Sequence, residues 1–199
     1  TGKSDIQENQ ERLFLCVCSG GREMIPSPLN YTGGKFRLLP QILPYFPENI
    51  DCFVDLFCGG CNVGINADCK KIVFNDQNRK LLQLYLTFRR LGREAVFERI
   101  RRIIERYGLS QVSERGYAYY GCDSSAGLSR VNKEPYLRLR RDFNAVRTED
   151  DEYFIMLYVL IVYSFNNQIR FNRKGEFNLP VGKRDFNRKL QKKLAAFID

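Results

Sequence analysis

Apolar positions along this chain recur with two different periods, and the change from one to the other marks out the elements. Cys52-Phe53-Val54-Asp55-Leu56-Phe57 is a compact apolar run between Asp51 and Gly59-Gly60 and predicts a buried parallel strand. Lys71-Ile72-Val73-Phe74-Asn75 predicts a second strand, with a brief helix over Asn62 to Ala67 between them. Strand, glycine loop, helix and strand then form a right-handed βαβ unit. Ahead of it, Tyr31-Thr32-Gly33-Gly34-Lys35 opens onto a short helix through Leu38, Leu39, Ile42 and Leu43 that ends near Pro47. After it the period becomes helical. Leu81, Leu82, Leu84, Tyr85 and Phe88 form one stripe, and Val96, Ile100, Ile103 and Ile104 a second, with arginines on its other faces.

Gly108 to Asn132, with Gly116, Gly121 and Gly127, has the composition of a loop. Pro135 suits the first turn of a helix running through Leu139 and Phe143. Thr148 is placed to cap the next, whose apolar stretch ends near Phe165, with acids in its first turn. Gln168-Ile169-Arg170-Phe171-Asn172 and Glu176-Phe177-Asn178-Leu179 flank Arg173-Lys174-Gly175, a hairpin pattern with glycine at the turn. The last segment, Phe186 to Ile198, is basic and amphipathic. Residues 1–28 are polar and then mixed; their Leu13-Phe14-Leu15-Cys16-Val17-Cys18 run fits an edge strand or a tail equally well.

Charge and cysteine usage narrow the partners. With 32 Lys and Arg against 23 acids the chain carries +9, which favours a polyanion, nucleic acid before an anionic membrane surface. Tyr153 to Tyr163, its longest apolar run, is too short to span a bilayer, which needs roughly 20 residues. Seven Cys without a signal sequence indicate reduced thiols, and the absence of His excludes His-dependent triads and imidazole-ligated zinc. Cys58-Gly59-Gly60-Cys61 has no second CxxC to complete a zinc set, so its thiols read as small packing residues and no metal is expected.

A glycine loop at the carboxyl end of a strand is where open α/β sheets take ligands, and an acid after the next strand, here Asp76, can accept from ribose hydroxyls. Many βαβ units carry both for structural reasons alone. The ordered set is more specific. Tyr31-Thr32-Gly33-Gly34-Lys35, then Phe53-Val54-Asp55-Leu56-Phe57-Cys58-Gly59-Gly60, then Asn75-Asp76, resembles the cofactor motifs of Dam-type, alpha-class DNA adenine-N6 methyltransferases. The resemblance runs from about Tyr31 to Asp199, with a gap over the glycine-rich loop. It implies a Rossmann-like S-adenosylmethionine-dependent fold, here with a partial sheet, and a helical target-recognition lobe carrying a β-hairpin. Cofactor contacts would come from Tyr31, Thr32, Gly33, Lys35, Asp55, Phe57, Cys58, Gly59, Gly60 and Asp76, with S-adenosylhomocysteine as product.

The hairpin carries the second match. A two-stranded ribbon fits the major groove, and an arginine there can contact guanine O6 and N7 together. By resemblance, Asn167, Gln168, Arg170, Asn172, Pro180 and Arg184 fall on DNA-binding positions that read or brace the sequence GATC in duplex DNA. Gln168 stands where relatives often carry an apolar residue. Taken singly, each arginine is as well explained by a solvated surface position.

The same family uses an Asp-Pro-Pro-Tyr motif to hold the adenine amino group. The seven prolines here include no adjacent pair, so the motif is absent and no catalytic residue is assigned in this chain. Three readings follow: the N-terminal portion of a methyltransferase, half of a split enzyme whose second chain supplies the motif, or a non-catalytic module that binds cofactor and DNA. The expected division is an extension over 1–28, a cofactor-binding α/β part over 29–90, and a mainly helical recognition part over 91–199 with its hairpin at 168–180. The resemblance places the protein in the cytoplasm, encoded by a bacterium or phage; oligomeric state is left open.

Overall fold

The computed structural model describes residues 13–16 and 23–199. The rest of the 1–28 extension, Cys18 included, lies outside the described residues. Three strands form one sheet in the order β1-β3-β2, where β1 is Leu13–Cys16, β2 is Ile50–Asp55 and β3 is Cys69–Phe74. β2 and β3 are parallel, with Ile50 opposite Cys69 and Asp55 opposite Phe74, as the βαβ pattern requires. β1 runs antiparallel along the other side of β3, so the Leu13 run is an edge strand.

Burial corrects the reading of β2. No residue of that strand is buried and Val54 is 56% exposed, whereas β3 buries Ile72, Val73 and Phe74. Among the described residues β2 has a strand neighbour on one side only, so an apolar run that looks like a central strand stands at an open edge. The crossover between them is a single 3-10 turn, Gly64–Asn66, rather than a helix. It packs so tightly on β3 that a Cβ at Gly64 would stand 2.5 Å from the Phe74 ring.

After the short helix α1, Leu39–Ile42, the two helical stripes lie on α2, Arg79–Tyr107, and are separated by Gly92, whose φ of 74° and ψ of 172° break the helix between them. Asn78 caps the first half, its side-chain oxygen accepting from Leu81 N at 3.3 Å. In the loop-like region, α3 (Val112–Arg115) and a 3-10 turn at Ala118–Tyr120 give way to α4, Ser129–Ala145, which starts ahead of Pro135 instead of at it. Tertiary bonding holds that early turn. Asn132 is fully buried, donating to Ser110 Oγ at 2.9 Å and accepting from Ser110 N at 2.8 Å.

Helix α5, Asp151–Tyr163, is capped by Asp150 and not by Thr148: the Asp150 carboxylate accepts from Tyr153 N at 2.9 Å. Thr148 lies two residues too early to meet the free N–H groups of the first turn. Every side chain from Tyr153 to Tyr163 is buried. A helix apolar on all faces belongs at the centre, and each such side chain contributes about 1.5–3 kcal/mol on burial. α2 and α4 pack around it, and α6, Arg188–Ile198, packs against α2 and buries Leu194.

Candidate cofactor and DNA site

The Tyr31 turn and the loop after β2 meet face to face. Gly34 N donates to Tyr31 O at 3.0 Å, closing the turn, and the Tyr31 ring lies against Gly59. A Cβ on Gly59 would be 2.8 Å from that ring, and φ is already +47°, so only glycine fits. Burial, then the nearby Asp76 and Cys58, pushes the Tyr31 phenol upward. Asp76 accepts from Gly59 N at 2.8 Å and, through its other oxygen, from Asn78 N at 2.9 Å. One carboxylate therefore ties the glycine loop to the cap of α2. Asp55 accepts from Gly64 N at 3.0 Å, and desolvation raises its pKa. Lys35 turns back on its own loop, donating to Gly33 O at 2.8 Å.

Cys58 and Cys61 are buried in this loop as free thiols, Cys61 N donating to Cys58 O at 2.6 Å. Burial first, and then Cys58, drives the Cys61 thiol well above its usual value, which suits a packing role. Phe57, at the lip, is 81% exposed. Among the described residues no cluster of His, Cys, Asp and Glu could hold a metal ion.

Residues 164–181 form the expected ribbon, made by single bridges at Phe171–Phe177 and Ser164–Val181 instead of two full strands. Asn172 braces its turn, accepting from Lys174 N at 2.9 Å and Glu176 N at 3.0 Å. Arg170 is held across the ribbon, its Nε donating to Asn178 Oδ1 at 2.9 Å. Pro180 O accepts from Phe165 N at 2.9 Å, and Gly182 passes so close to Ser164 that a Cβ would sit 2.2 Å from its carbonyl oxygen. Arg184 is exposed, whereas its neighbour Asp185 is 2% exposed and accepts from Val112 N at 2.6 Å.

The Tyr31 turn and the ribbon touch. Gln168 Nε2 donates to Thr32 Oγ1 at 3.2 Å, and Asn30 Nδ2 donates to Asn166 O at 3.0 Å. Around them lies a cavity of about 250 Å³ lined by Tyr31, Thr32, Asn78, Asn167 and Gln168. The sequence reading missed Asn30, Asn166 and Asp185. Asn30 adjoins a motif and could have been suspected; a buried Asp185 beside an exposed arginine has no signature in periodicity or composition.

Several arginines of α2 are paired within the fold. Arg99 pairs with Glu152 at 3.8 Å, Arg102 pairs with Glu98, and Arg90 with Asp151. Two of these partners, Asp151 and Glu152, stand in the first turn of α5, and Glu98 lies on α2 itself.

A glycine loop on a parallel strand pair thus faces a turn that is itself hydrogen-bonded to the ribbon. The chain matches over residues 31–198, and belongs to, the family of D12 class N6 adenine-specific DNA methyltransferases. It is 41% identical over 177 residues to the type II methyltransferase M.FokI of Planomicrobium okeanokoites, a match covering 88% of this chain and 24% of that protein. Modification methylase StsI of Streptococcus sanguinis is 36% identical over 182 residues, covering 90% of this chain and 24% of its own length. A DNA adenine methylase of Salmonella typhi is 28% identical over 156 residues, covering 78% and 47%. The chain thus spans about a quarter to a half of these relatives. No helix among the described residues is long and apolar enough to cross a membrane.

Proposed function

We propose that the protein transfers a methyl group from S-adenosylmethionine to N6 of adenine in duplex DNA, with GATC as the first sequence to test and the base turned out of the stack. The observation that carries this reading is the contact between the Tyr31–Lys35 turn and the ribbon, through Gln168–Thr32 and Asn30–Asn166. It sets the Tyr31–Lys35 turn and the ribbon on the two sides of one cavity, which supports a shared site.

The residues present fit the cofactor. Asp76 offers a carboxylate at the end of β3, Phe57 an exposed aromatic face, and Gly59 a backbone that a ligand can approach. When bound, S-adenosylmethionine supplies an electrophilic methyl on a sulfonium. Tyr31 and Lys35 would flank its methionine portion, and Asp76 would accept from the ribose. Arg184 and Arg170 would read base edges, while Asn172 and Pro180 hold the ribbon in shape.

The group that accepts from the adenine amino is not among these residues, since the chain has no Asp-Pro-Pro-Tyr. The open edge of β2, with Val54 and the following Leu56 and Phe57 exposed, supports its delivery on a strand added there. That strand would come from a further part of the protein or from a second chain. Calorimetry of the chain with S-adenosylmethionine, with and without a GATC duplex, tests the reading: heat is expected from the cofactor and a stronger interaction with both ligands present. Absence of cofactor heat from protein with a cooperative melt would overturn it.

A further inference from the structure

Beside the ribbon lies a second cavity, of about 460 Å³, walled by Asn30, Asn166, Lys183, Arg184, Asn187 and the first half of α6. Its lining includes four cations, Lys183, Arg184, Lys189 and Lys193, and no acid. Among the described residues none of the four is in an ion pair with a carboxylate. On α2, by contrast, Arg90, Arg93, Arg99 and Arg102 each pair with a carboxylate. Lys193 is half-buried, and burial together with Lys189 holds its pKa below the ordinary value. Cations gathered with no counter-charge raise their common energy until an anion is supplied.

The mounting is rigid. Lys183 O accepts from Leu128 N at 3.0 Å, and Gly127 lies against the Lys183 side chain, where a Cβ would come within 2.8 Å. On the other side Gly182 N donates to Tyr163 O at 2.7 Å. Asn187 fills the start of α6, accepting from Lys189 N at 3.1 Å and Leu190 N at 3.2 Å. The helix terminus is therefore satisfied, and the attraction for an anion comes from side chains.

We propose that this cavity seats one backbone phosphate of the bound duplex, held by Lys183, Lys189 and Lys193 immediately beside the base-reading Arg184. The inference rests on the DNA-binding reading above and adds a fixed point to it: a phosphate anchored here sets the register at which Arg184 meets the base edges. Lys192, exposed one position along α6, does not line the cavity and has no part in the seat.

The test is a scan of GATC duplexes in which single linkages are replaced by neutral methylphosphonates, read by fluorescence anisotropy. Wild-type affinity should drop at one linkage, or at an adjacent pair, and be unchanged elsewhere. In Lys183→Gln, Lys189→Gln and Lys193→Gln that drop should shrink or vanish, because the partner charge is already gone, while Lys192→Gln keeps the wild-type profile. Because the three share one phosphate, replacing all of them together should lower the slope of log affinity against log salt by about one. A flat scan, or a drop that persists unchanged in all three variants, would overturn the phosphate seat while leaving base reading by Arg184 intact. No binding to any duplex would remove the DNA-binding reading and the seat together.

Discussion

Gln168 and Thr32 are 136 residues apart and joined by a side-chain hydrogen bond of 3.2 Å. One belongs to the ribbon and the other to the Tyr31–Lys35 turn, so the bond links the two segments. Gln168→Leu removes the donor at similar volume. Its expected effect is on coupling: the gain in DNA affinity produced by S-adenosylmethionine should fall, with each separate affinity changed less. Anisotropy with and without cofactor measures both, and an unchanged gain would show that the bond transmits nothing.

Base readers and phosphate holders should separate under mutation. Arg184→Ala is expected to cost roughly 1–3 kcal/mol on a cognate duplex and little on a scrambled one. Arg170 is pinned by Asn178, so Asn178→Ala should blunt sequence preference without removing a charge. Equal losses on both duplexes for Arg184→Ala would reduce the ribbon to an electrostatic patch.

Gly182→Ala should fail for a local reason. Its Cβ would meet the Ser164 carbonyl oxygen at 2.2 Å, and that contact is backbone on backbone, with no flexible side chain to move aside. Overpacking of this kind costs about 1–3 kcal/mol. The melting temperature and DNA affinity should fall together; a variant that melts like the wild type would show that the ribbon can shift freely.

Tyr158 is fully buried, and its hydroxyl has no hydrogen-bond partner among the described residues. A buried hydroxyl left unpaired costs about 1–3 kcal/mol, so Tyr158→Phe should leave stability unchanged or raise it. Denaturant unfolding decides this, and a clear loss would mean that the hydroxyl is bonded in solution.

Asp185 gives a pH signature. Burial raises its pKa, with the bonds from Val112 N and Ser110 Oγ opposing that shift in part. With the folded value above the unfolded one, its contribution to stability is complete below roughly pH 4 and is lost as pH rises through the folded value. The wild type should therefore lose stability relative to Asp185→Asn across that interval. Parallel curves for the two proteins would contradict the assignment.

The elements legible in the sequence were those fixed by local pattern. The parallel pair of strands, the two stripes of α2 and the apolar α5 each follow from the spacing of residues within one segment. The exposure of β2 was not legible, because Phe53 and Val54 look the same whether a neighbouring strand is present or not. Helix starts were displaced for a similar reason: the cap of α5 depends on which carboxylate reaches Tyr153 N, and α4 begins early through Asn132 and Ser110, a bond between distant segments. Motif order located the Tyr31 and Gly59 loops, which lie together. The cluster of Lys183, Lys189 and Lys193 needs the turn at Asp185 to bring it about, and nothing in composition tells those lysines from their solvated neighbours.

Helix α5 has a consequence for how this protein could be taken apart. It packs against α2, whose cap is tied to the cofactor loop through Asp76, and its far end runs straight into Ser164 and the ribbon. The α/β part and the helical part thus share one set of apolar side chains and have no separate cores to retain. Such a molecule should melt as one cooperative unit, and its specificity should be retuned by exchanging side chains on the ribbon. Transplanting the helical half onto another enzyme would leave the face of α5 that meets α2 without its partner.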